Sequence, residues 1–352
     1  MGQRIVIMAG GTGGHVFPAL AVAHYLKGKD WDVSWMGTQR GMESKVIPAN
    51  GIEIDWLSVQ GIRGKGFAAK VTNARLLLKA FWEAYRIFSR RKPDVVLGMG
   101  GYVAGPGGVV ANLMGIPLVI HEQNRIPGTT NRLLVKKADK VLEAFPGSFP
   151  STANAVFTGN PLRTHFLDFP EKELWSEEVE RPFRILVVGG SQGAKILNDT
   201  VPATAAHLGD IEIKHQTGTA SLELVTKKYQ ELGIEAKAIE FIEDIASAYQ
   251  WADVVICRSG AMTVSEIAAA GIPAIFIPLP HAIDDHQTAN AKYLYDEGGA
   301  VLLVQSEFNE TSLIMAIQHV KSSLKQMGKA VKDKAKLDAT AVVANICIQE
   351  AK

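Results

Sequence analysis

Two hydrophobic patterns alternate along the chain. Short runs of nearly continuous Val, Ile and Leu, such as residues 4–8 (RIVIM), 93–97 (PDVVL), 184–188 (RILVV) and 252–256 (ADVVI), have the length and β-branched content of strands buried on both faces. Between them lie stretches with apolar positions at helical spacing, for example 16–26 (VFPALAVAHYL) and 196–208. Strand and helix in repeated succession predict an α/β fold whose parallel sheet is covered on both sides.

The pattern occurs twice. Residues 4–15 read RIVIMAGGTGGH and residues 184–195 read RILVVGGSQGAK, each an apolar strand running straight into glycines and then a helix. Further on, 93–97 leads through a glycine-rich turn to 115–120 (GIPLVI), just as 252–256 leads through SGAMTVSEIAAA to 271–277 (GIPAIFI). This self-similarity predicts two Rossmann-like, doubly wound parallel-sheet domains, residues 1–160 and 161–338. A charged, non-periodic stretch at 168–181 follows the junction. Residues 339–352 read as a C-terminal helix, free to cross back to the first domain.

A strand that ends in glycines and opens a helix lets backbone N–H groups approach a phosphate, and the helix N-terminus adds partial positive charge. Residues 10–15, 98–108 (GMGGYVAGPGG) and 189–194 all have this form. One such loop fits a tight turn equally well. Three, two of them at equivalent places in a repeat, favour a phosphate-bearing ligand. NAD is disfavoured, because neither repeat has the G-x-G-x-x-G spacing or the acidic residue at the end of the next strand. The Gly-Lys-Ser/Thr of a P-loop is absent as well.

Composition narrows the class. With 352 residues, 47% hydrophobic and 21% charged, the chain is a folded protein with room for two cores. A net charge of +1 supplies no global field to recruit nucleic acid. Cys257 and Cys347 stand in apolar surroundings and read as buried free thiols of a reducing compartment. The N-terminus lacks the pattern of a signal peptide, and no apolar run approaches the roughly 20 residues of a spanning helix. The expectation is a soluble or peripheral protein.

GGTGGH, GMGGYVAGPGG, HEQN (121–124), GNPLR (159–163), GGSQGA (189–194), CRSGAMTVSEIAAAG (257–271) and DDHQTANA (284–291) together resemble the MurG transferases, in the family's order and over most of the chain. The resemblance implies a glycosyltransferase B fold, two Rossmann-like domains facing a cleft. It implies inverting transfer of N-acetylglucosamine from UDP-N-acetylglucosamine to the C4 hydroxyl of the muramyl sugar of lipid I, giving lipid II. Such transfer needs a base for the incoming hydroxyl and stabilisation of the departing diphosphate, with an oxocarbenium-like anomeric carbon. No Asp-x-Asp motif stands near the nucleotide motifs, which fits a reaction with neither metal nor cofactor.

Carried over by motif, the resemblance implies that Thr12, Gly13 and Gly14 lie near the sugar and that Ser191 binds the donor diphosphate, with Arg163 countering its charge. It implies uracil at the Ile242 backbone and the α-phosphate at the helix opened by Ala261, Met262, Thr263, Val264 and Ser265. Glu266 would accept from the ribose hydroxyls, and Gln287 and Asn124 would hold the sugar. Gly13, Gly14, Gly101, Tyr102 and Gly105 are expected at the acceptor diphosphate. His15 is the first candidate base, since a first-turn histidine with an ordinary pKa near 6.5 suits proton abstraction. Glu122 is the second.

Lipid I implies a peripheral position on the cytoplasmic face of the bacterial plasma membrane, and cell-wall synthesis proteins as further partners. Residues 70–91 predict a helix with Val71, Ala74, Leu78, Phe81, Tyr85 and Phe88 on its core face. Leu77, Ala80, Trp82 and Ile87 leave apolar surface beyond that stripe, flanked by Arg75, Lys79, Arg86, Arg90 and Arg91. With the RGKGF of 63–67 this suits an anionic lipid surface, though a helix buried on two sides has the same pattern. Two other functions remain open: a UDP-sugar transferase with a different acceptor, and a UDP-sugar epimerase of the same fold.

Overall fold

The computed structural model describes residues 2–59, 67–167, 169, 181–190, 192–280 and 283–351, with backbone alone for 67–74 and 283. The chain forms two compact units, Met1–Arg163 with Leu337–Lys352, and Thr164–Lys336.

The first unit runs β1 (Arg4–Met8), α1 (Gly13–Lys27), β2 (Asp32–Gly37), α2 (Glu43–Ala49), β3 (Glu53–Trp56), α3 (Phe67–Arg91), β4 (Val95–Gly98), α4 (Gly101–Leu113), β5 (Leu118–Glu122), α5 (Thr129–Leu134), β6 (Lys140–Glu143) and β7 (Val156–Phe157). Its seven strands are ordered β3-β2-β1-β4-β5-β6-β7 and every pairing is parallel. The order reverses between β1 and β4, whose last residues Met8 and Gly98 are paired, so their loops emerge side by side. Such a reversal is where doubly wound sheets bind ligands.

The second unit runs β8 (Phe183–Val188), α6 (Lys195–Ala205), β9 (Ile211–Gln216), α7 (Leu222–Glu231), β10 (Ala236–Ile239), α8 (Ile245–Trp251), β11 (Val254–Cys257), α9 (Ala261–Ala270), β12 (Ala274–Phe276), α10 (His286–Tyr295), β13 (Ala300–Leu302) and α11 (Glu310–Lys332). Its sheet, β10-β9-β8-β11-β12-β13, is parallel too and repeats the first order, with the reversal between β8 and β11. The two-domain α/β architecture expected from the repeat is the observed one. The last helix, α12 (Ala339–Glu350), belongs to the first unit, where Val343, Ala344 and Cys347 join the core of Ile5, Ala19 and Leu26. Cys257 and Cys347 are buried and unpaired with each other, and burial pushes both thiols up, that of Cys347 to about 12.

Two expectations are corrected. The glycines of 98–108 do not form one loop. Gly100 and Gly101 have φ of +89° and +77° and open α4, whereas Gly107 and Gly108 are contact points inside that helix. A Cβ on Gly107 would stand 2.2 Å from the Met8 sulfur, and one on Gly108 would stand 2.7 Å from Leu134. Their absence of side chain lets α4 lie close to β1 and to α5.

The second correction concerns α3, whose core face is Ala80, Ala84, Ile87 and Phe88. Leu78 and Tyr85, expected inside, are 70% and 54% exposed, and Ala80 and Ile87, expected outside, are buried. Both faces are rich in apolar residues, so spacing alone could not choose between them. Arg90 and Arg91 are not loose flanking charges: both bond Asp55, and Arg91 also pairs with Glu53. The RGKGF loop lies outside the described residues apart from the backbone of Phe67. Among the described residues no helix is long and apolar enough to cross a membrane.

Candidate active site

In the first unit the site is built where the strand order reverses. The chain leaves β1 through Gly10 and Gly11, Thr12 caps α1 in an extended conformation, and its carbonyl accepts the His15 and Val16 amides. The amides of Gly13 and Gly14 lie in the first turn, where a helix offers N–H groups to an anion. His15 Nδ1 stands 3.4 Å from Thr12 Oγ1. Its ring lies against Gly100, where a Cβ would come within 3.2 Å of Nε2. A Cβ on Gly101 would be 2.6 Å from the Gly10 carbonyl oxygen, so the starts of α1 and α4 meet backbone to backbone. Burial lowers the His15 pKa below its ordinary value, opposed by the Glu122 charge, a bond to the Gly10 backbone and the Glu43 charge.

Glu122 ends β5 and is buried. One oxygen accepts from the Asn124 amide (3.0 Å) and side chain (3.2 Å), the other from the Gly128 amide (3.0 Å) and Asn131 Nδ2 (2.9 Å). With both oxygens engaged, the carboxylate ties down the loop that carries Asn124. His121 is also buried, with Nε2 3.0 Å from the Gly159 carbonyl and Nδ1 3.0 Å from Gln123 Nε2; burial pushes its pKa down to about 4. The Arg163 guanidinium lies 5.4 Å from the centre of the Phe17 ring, which itself covers Gly13. Tyr102 is half exposed in the first turn of α4. Gly105 sits a turn further in, where helix geometry commits its amide to the Gly101 carbonyl. A cavity of about 890 Å³ adjoins this loop, lined by Gly10, Gly11, Arg40, Ser58, Lys79 and Tyr102 among others.

In the second unit the loop 189–194 is fitted to the end of β9. A Cβ on Gly193 would be 1.9 Å from the Thr217 carbonyl oxygen, and one on Gly218 would be 2.4 Å from that of Gln192. Ser191 lies outside the described residues. Gln216, which the sequence reading passed over, joins two expected donor contacts: its Nε2 donates to the Gly190 carbonyl (2.8 Å) and its Oε1 accepts the Ile242 amide (2.9 Å). On α9, Ala261 and Val264 are buried while Met262, Thr263, Ser265 and Glu266 are half-buried. Gln287 Oε1 accepts the Leu279 amide (2.9 Å) and its carbonyl accepts Ser259 Oγ (2.9 Å). Asp284 and Asp285 both adopt positive φ before α10, and Asp285 accepts from Thr288 Oγ1 at 2.8 Å, so this pair shapes a turn.

Glycine-led helix starts at the reversal point of two like parallel sheets define a two-domain, Rossmann-like α/β protein. Residues 5–143 match the Glycosyltransferase family 28 N-terminal domain and residues 184–345 match the Glycosyltransferase family 28 C-terminal domain. A UDP-N-acetylglucosamine–N-acetylmuramyl-(pentapeptide) pyrophosphoryl-undecaprenol N-acetylglucosamine transferase of Methylococcus capsulatus is 55% identical, covering 100% of this chain and 99% of its own. One of the same name from Dechloromonas aromatica is 44% identical over 100% of both. The solved Acinetobacter baumannii MurG superposes with a TM-score of 0.85 at 40% identity, covering 99% of each chain. The chain belongs to the MurG family of N-acetylglucosamine transferases. A UDP-GlcNAc 2-epimerase from Neisseria meningitidis, with a TM-score of 0.68 at 13% identity, shares the fold alone.

Proposed function

We propose that this protein moves N-acetylglucosamine from UDP-N-acetylglucosamine to the C4 hydroxyl of the muramyl-pentapeptide of lipid I, releasing UDP and lipid II. The observation that carries the reading is full-length identity of 44–55% to transferases of that name, through both domains. His15 takes the proton of the acceptor hydroxyl as its oxygen bonds the anomeric carbon from the face opposite UDP. The anomeric bond breaks with its electron pair leaving on the diphosphate. The first-turn amides of α1 and α4 receive the acceptor diphosphate, and the cavity beside them takes neighbouring parts of the acceptor. The loop 189–194, with Ser191, and the first turn of α9 hold the donor diphosphate. Glu266 takes the ribose, the Ile242 carbonyl reads uracil, and Gln287 and Asn124 orient the sugar. Arg163, stacked beside the start of α1, adds positive charge for a diphosphate. Glu122 orders the Asn124 loop.

The protein meets its lipid substrate at an anionic membrane surface, on the cytoplasmic side. Supporting this, Leu77, Leu78, Trp82 and Tyr85 of α3 are exposed together, Arg75, Lys79 and Arg86 are exposed among them, and Arg86 stacks on Trp82 at 4.7 Å. The deciding experiment follows labelled N-acetylglucosamine onto a lipid I analogue and assigns the new linkage by NMR. A β-1,4 disaccharide is expected; an α linkage, or an epimerised free sugar nucleotide, would refute the reading.

A further inference from the structure

Glu43 has no role in the chemistry above, yet its surroundings are built around it. It is the first residue of α2 and is fully buried. Oε1 accepts the Thr38 amide (2.9 Å) and hydroxyl (2.8 Å), and Oε2 accepts the Gly11 amide (3.0 Å). Glycines from three segments make room for it. A Cβ on Gly10 would be 2.6 Å from Oε1, on Gly37 2.8 Å from Cγ, and on Gly41 1.9 Å from Oε2. A buried carboxylate is costly unless its bonds are fully made, and here they join the exit of β1 to the exit of β2. By holding the Gly11 amide inward, Glu43 withdraws it from any phosphate and fixes the point from which Thr12, Gly13 and Gly14 start α1. It also places a negative charge close enough to act on His15, alongside Glu122.

We propose that Glu43 is a positioning residue for transfer: it pins the glycine loop that carries His15, and its charge supports the imidazolium formed when His15 takes the acceptor proton. The charge part rests on His15 being the base. The test compares wild type with E43Q, G41A, H15A and the double variant H15A/E43Q, reading kcat, KM, the pH–rate profile and thermal unfolding. E43Q should lower kcat about tenfold, the size expected for a lost hydrogen bond to a buried charge, with KM for UDP-N-acetylglucosamine within about twofold. The acid limb of its kcat profile should move to lower pH, because an imidazolium without the nearby anion forms less readily. G41A keeps the charge but displaces the carboxylate, and should lower kcat in the same way. The double variant should be no slower than H15A. Wild-type kcat in E43Q, an unmoved acid limb, or additive losses in the double variant would overturn the Glu43 role while H15A remains disabled. Wild-type turnover in H15A would instead overturn the base assignment, and the charge part of this proposal with it.

Discussion

Thr12 Oγ1 and His15 Nδ1 stand 3.4 Å apart across the first turn of α1, so the candidate base is steadied by the residue that caps its own helix. The cap has no side-chain bond to a backbone amide, which leaves the hydroxyl for the imidazole. Removal of the base should therefore act on turnover and spare binding. His15→Ala should lower kcat at least about a hundredfold with KM for UDP-N-acetylglucosamine nearly kept. Thr12→Val should lose much less. In wild type the base must be neutral to accept a proton, so kcat should be full at neutral pH and fall on acidification. Because burial lowers the His15 pKa, that fall should be centred below 6.5. A steady-state series across pH checks both points.

Acid should also destabilise the fold through two buried histidines that take no part in the proposed transfer. Burial holds His121 down to about 4 and His215 to about 3, while the unfolded chain protonates both near 6.5. The unfolded state thus binds more protons as pH drops. Stability is complete above about 6.5 and is lost progressively toward the two folded values. His215 bonds Tyr229 through Nδ1 at 2.9 Å, and its buried Nε2 has no partner among the described residues. The paired variant H215L/Y229F should show a shallower decline of Tm between pH 6.5 and 4.5 than wild type. An equal or steeper decline would count against this account.

Gln216 links the Gly190 carbonyl to the Ile242 amide, both on the donor side of the proposal. Gln216→Ala should raise KM for UDP-N-acetylglucosamine roughly tenfold, the loss expected from about one ordinary hydrogen bond in an ordered site, and leave kcat at saturation largely intact. A fall in kcat at unchanged KM would move Gln216 from donor binding to the chemical step.

The exposed face of α3 gives a separate test. Leu78→Glu with Trp82→Ala should weaken sedimentation with vesicles of anionic lipid at least about tenfold, since apolar burial and cation attraction both suffer. Turnover of a water-soluble acceptor analogue should stay near wild type. Undiminished vesicle binding would assign membrane contact to another surface.

The fold was legible because the opening strand of each half, β1 and β8, is a β-branched run leading into glycines, and that device needs no tertiary information. The motif glycines were legible as loops but not as contacts. Gly107 and Gly108 are fixed by Met8 and Leu134, distant partners that no local pattern discloses. The face of α3 was misread, Phe88 apart, because Leu78 and Tyr85 share helical spacing and apolar character with Ala80 and Ile87, and only packing decides which pair goes inside. Glu43 was invisible for a similar reason: in the segment GTQRGMES it looks like a helix-start acid, and its partner Gly11 lies 32 residues away. Gln216 stood in view at the end of β9, but its role depends on a loop and a strand exit that meet only in the folded unit.

The central claim, transfer to a lipid-linked acceptor by a site that uses no metal, is tested most directly by UDP release. The rate from UDP-N-acetylglucosamine should be measured with and without a lipid I analogue, in the presence of a strong chelator. UDP should appear only when the acceptor is present, one per disaccharide formed, at a rate the chelator does not change. Acceptor-independent release, or activity abolished by the chelator and restored by a divalent cation, would contradict the account.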